Sequence, residues 1–470
     1  MSRKQEEFQK RTEHLDSLLG IGRSFDMVGR NLIIGGRHAR FWVVNGYMED
    51  GLVERMIDHW LTVKNLPPTL TATDFIARCI SVGDAQTETD ESKALTAVFS
   101  GKALLVMEGL PENIMLDVKT YPARSVAEPD NSKVLRGAHD GFLETLMKNA
   151  ALLRRRIRTP ELTIEDHKVG ERSHMDVALC YLESRVDRPM LERIRRQLEA
   201  IDVRSVTMGQ ESIAEAITSP QWYNPFPRVR YTERPDTAAA SILEGNIILM
   251  VDNTPAAMIL PTTIFSFTEA VNDFYFPPLV GTYLRLLRLG VSILTLIITP
   301  LWYLIVKTPD TIPENLGFLA VEGEYYVPLI LQLLLLEFVI DLLKLASLNT
   351  PDALSNSFSM LGALILGNFA VQARWLVPEV LVYMAFVAVA NFAQPSYELG
   401  YALKLMRMVL LILSWALGWY GFAGGLVLTF ILIATTRPIG GKGYLYPLLP
   451  FNAKAMRALL IRRPISRDNT

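Results

Sequence analysis

VPLILQLLLLEFVIDLLKLASL, residues 327–348, is a leucine-rich run long enough to cross a bilayer as a helix, yet Glu337, Asp341 and Lys344 lie in its middle. At 100° per residue the three fall on one helical stripe. An ionisable side chain costs at least ~2.5 kcal/mol at the centre of a bilayer, so the stripe must face other protein, a partner charge or water. The run therefore predicts a multi-helix membrane assembly with a polar interior. Two roles for the stripe stay open: contact with passing cations or protons, or a static clasp between helices or subunits.

Downstream, the apolar pattern continues as residues 357–371, 377–392 and 403–435, and upstream it begins with residues 289–306. Residues 403–435 exceed one crossing and are interrupted by Gly418, Gly421, Gly424 and Gly425, so they divide in two. Six membrane segments result. Arg285 and Arg288 precede the first, and Lys442, Lys454, Arg457, Arg462 and Arg463 follow the last, which places both flanks in the cytoplasm. Pro395 in NFAQPSYE, residues 391–398, must break or kink a helix, which makes Gln394, Pro395, Ser396, Tyr397 and Glu398 candidates for a gate or pore mouth, or for a plain interfacial loop. Asn368 and Gln372 share a helix face that could bond across helices or line a wet path. Ala363 and Gly367 form a small-xxx-small packing pair.

The first 285 or so residues are charged and mixed, as in soluble domains. Residues 31–46 predict a hairpin around Gly35 and Gly36, followed by helices over 50–63 and 71–81. Residues 97–107 read as two strands turning at Gly101, and 114–120 continue the alternation. A polar stretch at 128–132 marks a boundary. Then come an amphipathic helix (141–158), strands (162–169 and 175–183), helices (188–201 and 210–217) and an apolar hairpin (242–260). The basic run LRRRIR, residues 153–158, reads as a solvated helix face or a membrane-proximal patch. The expected architecture is α+β: two cytoplasmic α/β subdomains (1–135 and 136–275), not a repeat array, then an all-α polytopic membrane domain (276–440) and a cytoplasmic tail (441–470).

A formal net charge of −2 gives no electrostatic reason to expect nucleic acid. Cys79 and Cys180 stand about a hundred residues apart without a ligand-spaced neighbour, so neither a disulfide framework nor a zinc site is expected. The N-terminus has no apolar core and is not a signal peptide. No phosphate loop, HExxH or GxSxG is present, and the six histidines are scattered. The chain is not expected to be an enzyme or to hold a cofactor or metal.

TERPDTAAASILEGNIILMVDNTP, residues 232–255, resembles the signature segment of A subunits of the GerA-type spore germination receptors. EPDNSKVLRGAHDGFLETLMKNAALLRRRIRTPEL, residues 128–162, resembles a second block of that family, with Ala138 and His139 in place of a proline and a basic residue. LLLLEFVIDLLKLASLNTP (333–351), VPEVLVYMAFVAVANFAQPSYELG (377–400) and YLYPLLPFNAKA (444–455) resemble its sporulation-stage members more than its receptor subunits. The resemblance implies an integral protein of the spore inner membrane, a homo-oligomeric cation channel that works with a small polytopic membrane partner and amplifies ion release during germination. A non-conducting receptor or signalling scaffold is the alternative, and a secondary transporter lacks the internal repeat it would need.

Overall fold

The computed structural model describes residues 3–81, 83–120, 137–201, 208–218, 221–308, 317, 319–321, 323–349, 370–440 and 443–462. The N-terminal half contains two sheet-based units. The first comprises α1 (Arg3–Leu19), β1 (Met27–Ile34), β2 (Arg37–Val44), α2 (Asp50–Thr62), α3 (Ala72–Cys79), β3 (Ala85–Glu88), α4 (Glu91–Phe99), β4 (Ala103–Met107) and β5 (Asn113–Leu116). The second comprises α5 (Leu146–Arg156), β6 (Leu162–Val169), β7 (Met175–Leu182), α6 (Arg188–Glu199), α7 (Gln210–Ile217), β8 (Arg230–Thr232), α8 (Pro235–Leu243), β9 (Ile247–Val251) and β10 (Ala257–Leu260).

Both sheets are antiparallel and five-stranded, in the orders β1-β2-β4-β5-β3 and β6-β7-β9-β10-β8. These are the same topology, met by the same succession of helices. Alternation along the strands explains the layering: Phe41 and Val43 of β2 face α2 and α3, while Trp42 and Val44 face α1 and α4. In the second unit Val177 and Leu179 face α6 and α7, while Ala178 and Cys180 face α5 and α8. The expectation of two α/β units that do not form a repeat array is thus corrected to one topology used twice, a property that resides in strand order.

Local chemistry sets the element ends. Gly35 and Gly36 turn the β1–β2 hairpin at φ of +56° and +81°, where side chains other than glycine are disfavoured. Thr71 and Asp74 form a reciprocal capping box on α3. Two sequence readings need revision. Residues 97–99 end helix α4 rather than begin a strand, because Asp90 caps that helix through the amides of Ser92 and Lys93. The helix expected from residue 141 starts at Leu146.

The basic run is also corrected. Arg154 is fully buried, donating to both oxygens of buried Asp26 (2.8 and 3.1 Å), to Ser24 Oγ (3.1 Å) and to the Thr159 carbonyl (3.1 Å). Phe99 of the first unit lies beneath its guanidinium. Because Asp26 belongs to the first unit and Arg154 to the second, this pair joins them. Cys79 and Cys180 are buried free thiols.

The helical region follows: α9 (Asn272–Tyr275), α10 (Pro278–Lys307), α11 (Leu329–Asn349), the single turn α12 (Ala370–Gln372), α13 (Pro378–Phe392), α14 (Tyr397–Leu417), α15 (Trp419–Thr435) and α16 (Ala453–Leu460). Among the described residues, α10 and α14 are long and apolar enough to cross a membrane by length and composition. Helix α11 matches α14 in length but carries the three ionisable groups. The expected segment at 357–371, with its Ala363–Gly367 pair, lies almost wholly outside the described residues.

After α15 the chain returns to the second unit. Ile439 joins that unit's core, and the Tyr444 hydroxyl donates to the Pro227 carbonyl at 2.7 Å. Arg285 at the start of α10 donates to the carbonyls of Ala458 and Leu459. Both ends of the helical region therefore lie on the side of the sheet-based units.

Candidate functional site

Helix α11 presents Glu337 and Asp341 to α14, where Lys404 and Arg407 stand one turn apart inside an otherwise apolar run. The Arg407 fork is bidentate on Glu337, with Nε to Oε1 at 2.6 Å and Nη2 to Oε2 at 3.0 Å. Its third donor reaches the Thr295 carbonyl of α10 at 3.0 Å. Lys404 donates to the Glu337 backbone carbonyl at 2.8 Å and stands 2.5 Å from Asp341 Oδ1. Three helices are tied by one charged network.

Burial divides the two carboxylates. Glu337 is 3% exposed against a fully buried Arg407, whereas the side chain of Asp341 is 34% exposed. Lys344 sits over two rings, Phe392 of α13 at 5.4 Å and Tyr401 of α14 at 5.2 Å, in cation–π geometry. The sequence stripe supplied both acids. It missed Lys404 and Arg407, although two bases three residues apart in an apolar run were a readable signal.

The break at Pro395 is a full stop between helices. Helix α13 ends at Phe392, and Ser396 caps α14 by accepting from the Leu399 amide (3.2 Å) while donating to Glu398 (2.6 Å). Gln394 is buried and donates weakly to Thr295 Oγ1 at 3.5 Å. Thr295 thus touches both sequence signals, through its carbonyl to Arg407 and its hydroxyl to Gln394. Gln372 is exposed on α12, away from this network, and Asn368 lies outside the described residues.

Residues 392–398 also form one wall of a cleft of about 530 Å³, whose other wall is the second sheet-based unit and the segment after it: Glu211 of α7, Arg230 and Tyr231 of β8, and Glu269. Thr232, Glu233, Arg234 and Thr237, from the start of the quoted signature stretch, line the same cleft. No converging polar set was legible here from the sequence, because its members come from stretches up to nearly two hundred residues apart.

The family model described as Bacillus/Clostridium GerA spore germination protein matches residues 13–470. Stage V sporulation protein AF of Bacillus subtilis (strain 168) is 35% identical over 456 residues, 96% of this chain and 92% of that protein. Spore germination protein KA of the same organism is 28% identical over 452 residues, 94% of this chain and 82% of that protein. The crystal structure of the N-terminal domain of the A subunit of the Bacillus megaterium spore germinant receptor GerK3 aligns with a TM-score of 0.40 and 24% identity, covering 53% of this chain and 92% of that one. With a family match that runs from residue 13 to the last residue, the chain belongs to the GerA family of spore germination proteins.

Proposed function

We propose that the chain is a subunit of a homo-oligomeric ion-conducting assembly in the spore inner membrane, with six membrane segments and a cytoplasmic soluble half, promoting cation release during germination beside a small polytopic membrane partner. The observation that carries this reading is the charged network among apolar helices, since ionisable groups at such depth are retained where they serve a pathway or hold one in shape. The roles of the two acids separate. Glu337, buried and doubly bonded to Arg407, is the clasp; Asp341, partly exposed beside it, is the group available to a passing ion. Gln394, Pro395 and Glu398 form the hinge where the soluble half meets the helices.

Single-channel recording tests it, with the purified protein in planar bilayers, alone and with its co-purifying partner. Asp341→Asn is expected to lower cation conductance while the oligomer assembles as before. Silence from an assembled oligomer with its partner present would favour the second reading, a non-conducting receptor or scaffold. The cleft between the soluble unit and the α13–α14 break is the specific observation on that side.

A further inference from the structure

We infer that the cleft between the second α/β unit and the Gln394–Glu398 break is a binding site for a small organic cation carrying an ammonium or guanidinium group. Its volume, about 530 Å³, is that of a small-molecule pocket rather than of a bare ion site. What the walls offer are acceptors. The carboxylates of Glu211 and Glu398 line it, and so do two glutamines, Gln210 and Gln394, whose Oε1 atoms are buried and accept no hydrogen bond.

The orientation of Gln394 follows from its neighbour. Thr295 Oγ1 donates its proton to the Ser292 carbonyl at 2.9 Å, so toward Gln394 it can only accept. Nε2 must therefore face Thr295, and Oε1 is left without a donor in a residue that is 9% exposed. A buried acceptor without a partner is costly, and a ligand donor that draws the Gln394 amide toward the cleft would remove that cost.

The cleft's own cations are engaged elsewhere. Arg230 pairs with Glu269 at 3.2 Å, Arg234 with Asp236 at 2.6 Å, and Arg288 with the fully buried Asp273. Glu211 accepts only a neutral donor among the bonds resolved at it, the Tyr231 hydroxyl at 3.1 Å. Burial pushes the Tyr231 phenol up, with Glu211 and Glu398 adding to the shift, as expected where negative potential accumulates. Tyr231, Phe392 and Tyr397 complete a lining that suits an organic cation more than a hydrated metal ion.

The inference stands apart from conduction, because a non-conducting scaffold with this cleft would bind the same ligand. Isothermal titration of the full chain in nanodiscs tests it, with benzylammonium chloride as probe, potassium chloride as the inorganic arm and sodium benzoate as the anion control. Saturable binding of benzylammonium alone is expected. Glu211→Gln with Glu398→Gln, both at exposed positions, should weaken it about tenfold or more, the effect of losing charge-assisted hydrogen bonds. Glu211→Gln alone, remote from any helix cap on α14, should give a smaller loss. Absence of saturable binding, saturation by potassium and not benzylammonium, or unchanged affinity in the double variant would each overturn the assignment.

Discussion

Glu337 and Arg407 are buried together, so removing one leaves the other as an uncompensated charge. Breaking such a pair costs about 3–5 kcal/mol, whereas replacing both partners by apolar groups of similar volume is often near neutral. Glu337→Gln should therefore lower thermal stability in nanodiscs strongly, and Glu337→Leu with Arg407→Met should recover most of the loss. A double variant as unstable as the single one would show that the network does not act as a pair. In the second sheet-based unit, burial alone would raise the Glu165 carboxyl, but hydrogen bonds from His167, Arg195 and Tyr181 hold it down at about 2. A depressed carboxylate stabilises the fold above its unfolded value of 4.5, and that contribution is lost as pH falls from 4.5 toward 2. Glu165→Gln should then cost about 1–2 kcal/mol at pH 7 in urea unfolding, since solvent screens a group this close to the surface, with the gap closing over that acid window. A gap that persists at pH 2 would place the effect in packing instead.

At the scale of elements, the glycines that divide residues 403–435 have distinct jobs. Gly418 alone makes the break, with φ +64° and ψ −138° between α14 and α15. Gly421 and Gly425 instead let the two helices touch: a Cβ on Gly421 would stand 1.9 Å from the Leu413 carbonyl oxygen, and one on Gly425 would stand 2.4 Å from Leu410 Cδ1. Gly424 faces open space. Gly418→Ala is expected to destabilise by about 1–3 kcal/mol through backbone strain. Gly424→Ala should be neutral or stabilising by about 0.5–1 kcal/mol, as for glycine replaced in an exposed helix. Equal effects of the two in thermal unfolding would contradict this division. The sequence located the interruption but not which glycine bends and which two pack, since that depends on the partner helix.

For the whole molecule, the consequence of the returning tail is topological. Residues 439–440 and 443–462 rejoin the second unit and the base of α10, while the Gly418 turn lies at the far end of α14, near the Lys307–Trp415 contact at the end of α10. With the buried native cysteines replaced, Glu54→Cys and Lys454→Cys should label with an impermeant maleimide from one face of a sealed vesicle, and Tyr420→Cys from the other. Labelling of Glu54→Cys and Lys454→Cys from opposite faces would refute the arrangement.

The sequence by itself determined the strands and helices that alternate cleanly, the position of the Pro395 break, the two acids of the stripe and, through the quoted stretches, the family. Such features are local, because apolar periodicity specifies the face on which a side chain stands. Periodicity does not specify what that face meets. Arg407 finds Glu337 seventy residues away, Arg154 finds Asp26 at 128, and the cleft draws on six separate stretches. The duplicated topology likewise resides in strand order, which many sequences can satisfy with different side chains. Only the tertiary structure decided these, since the energy of a buried charge is set by the partner that packing brings to it.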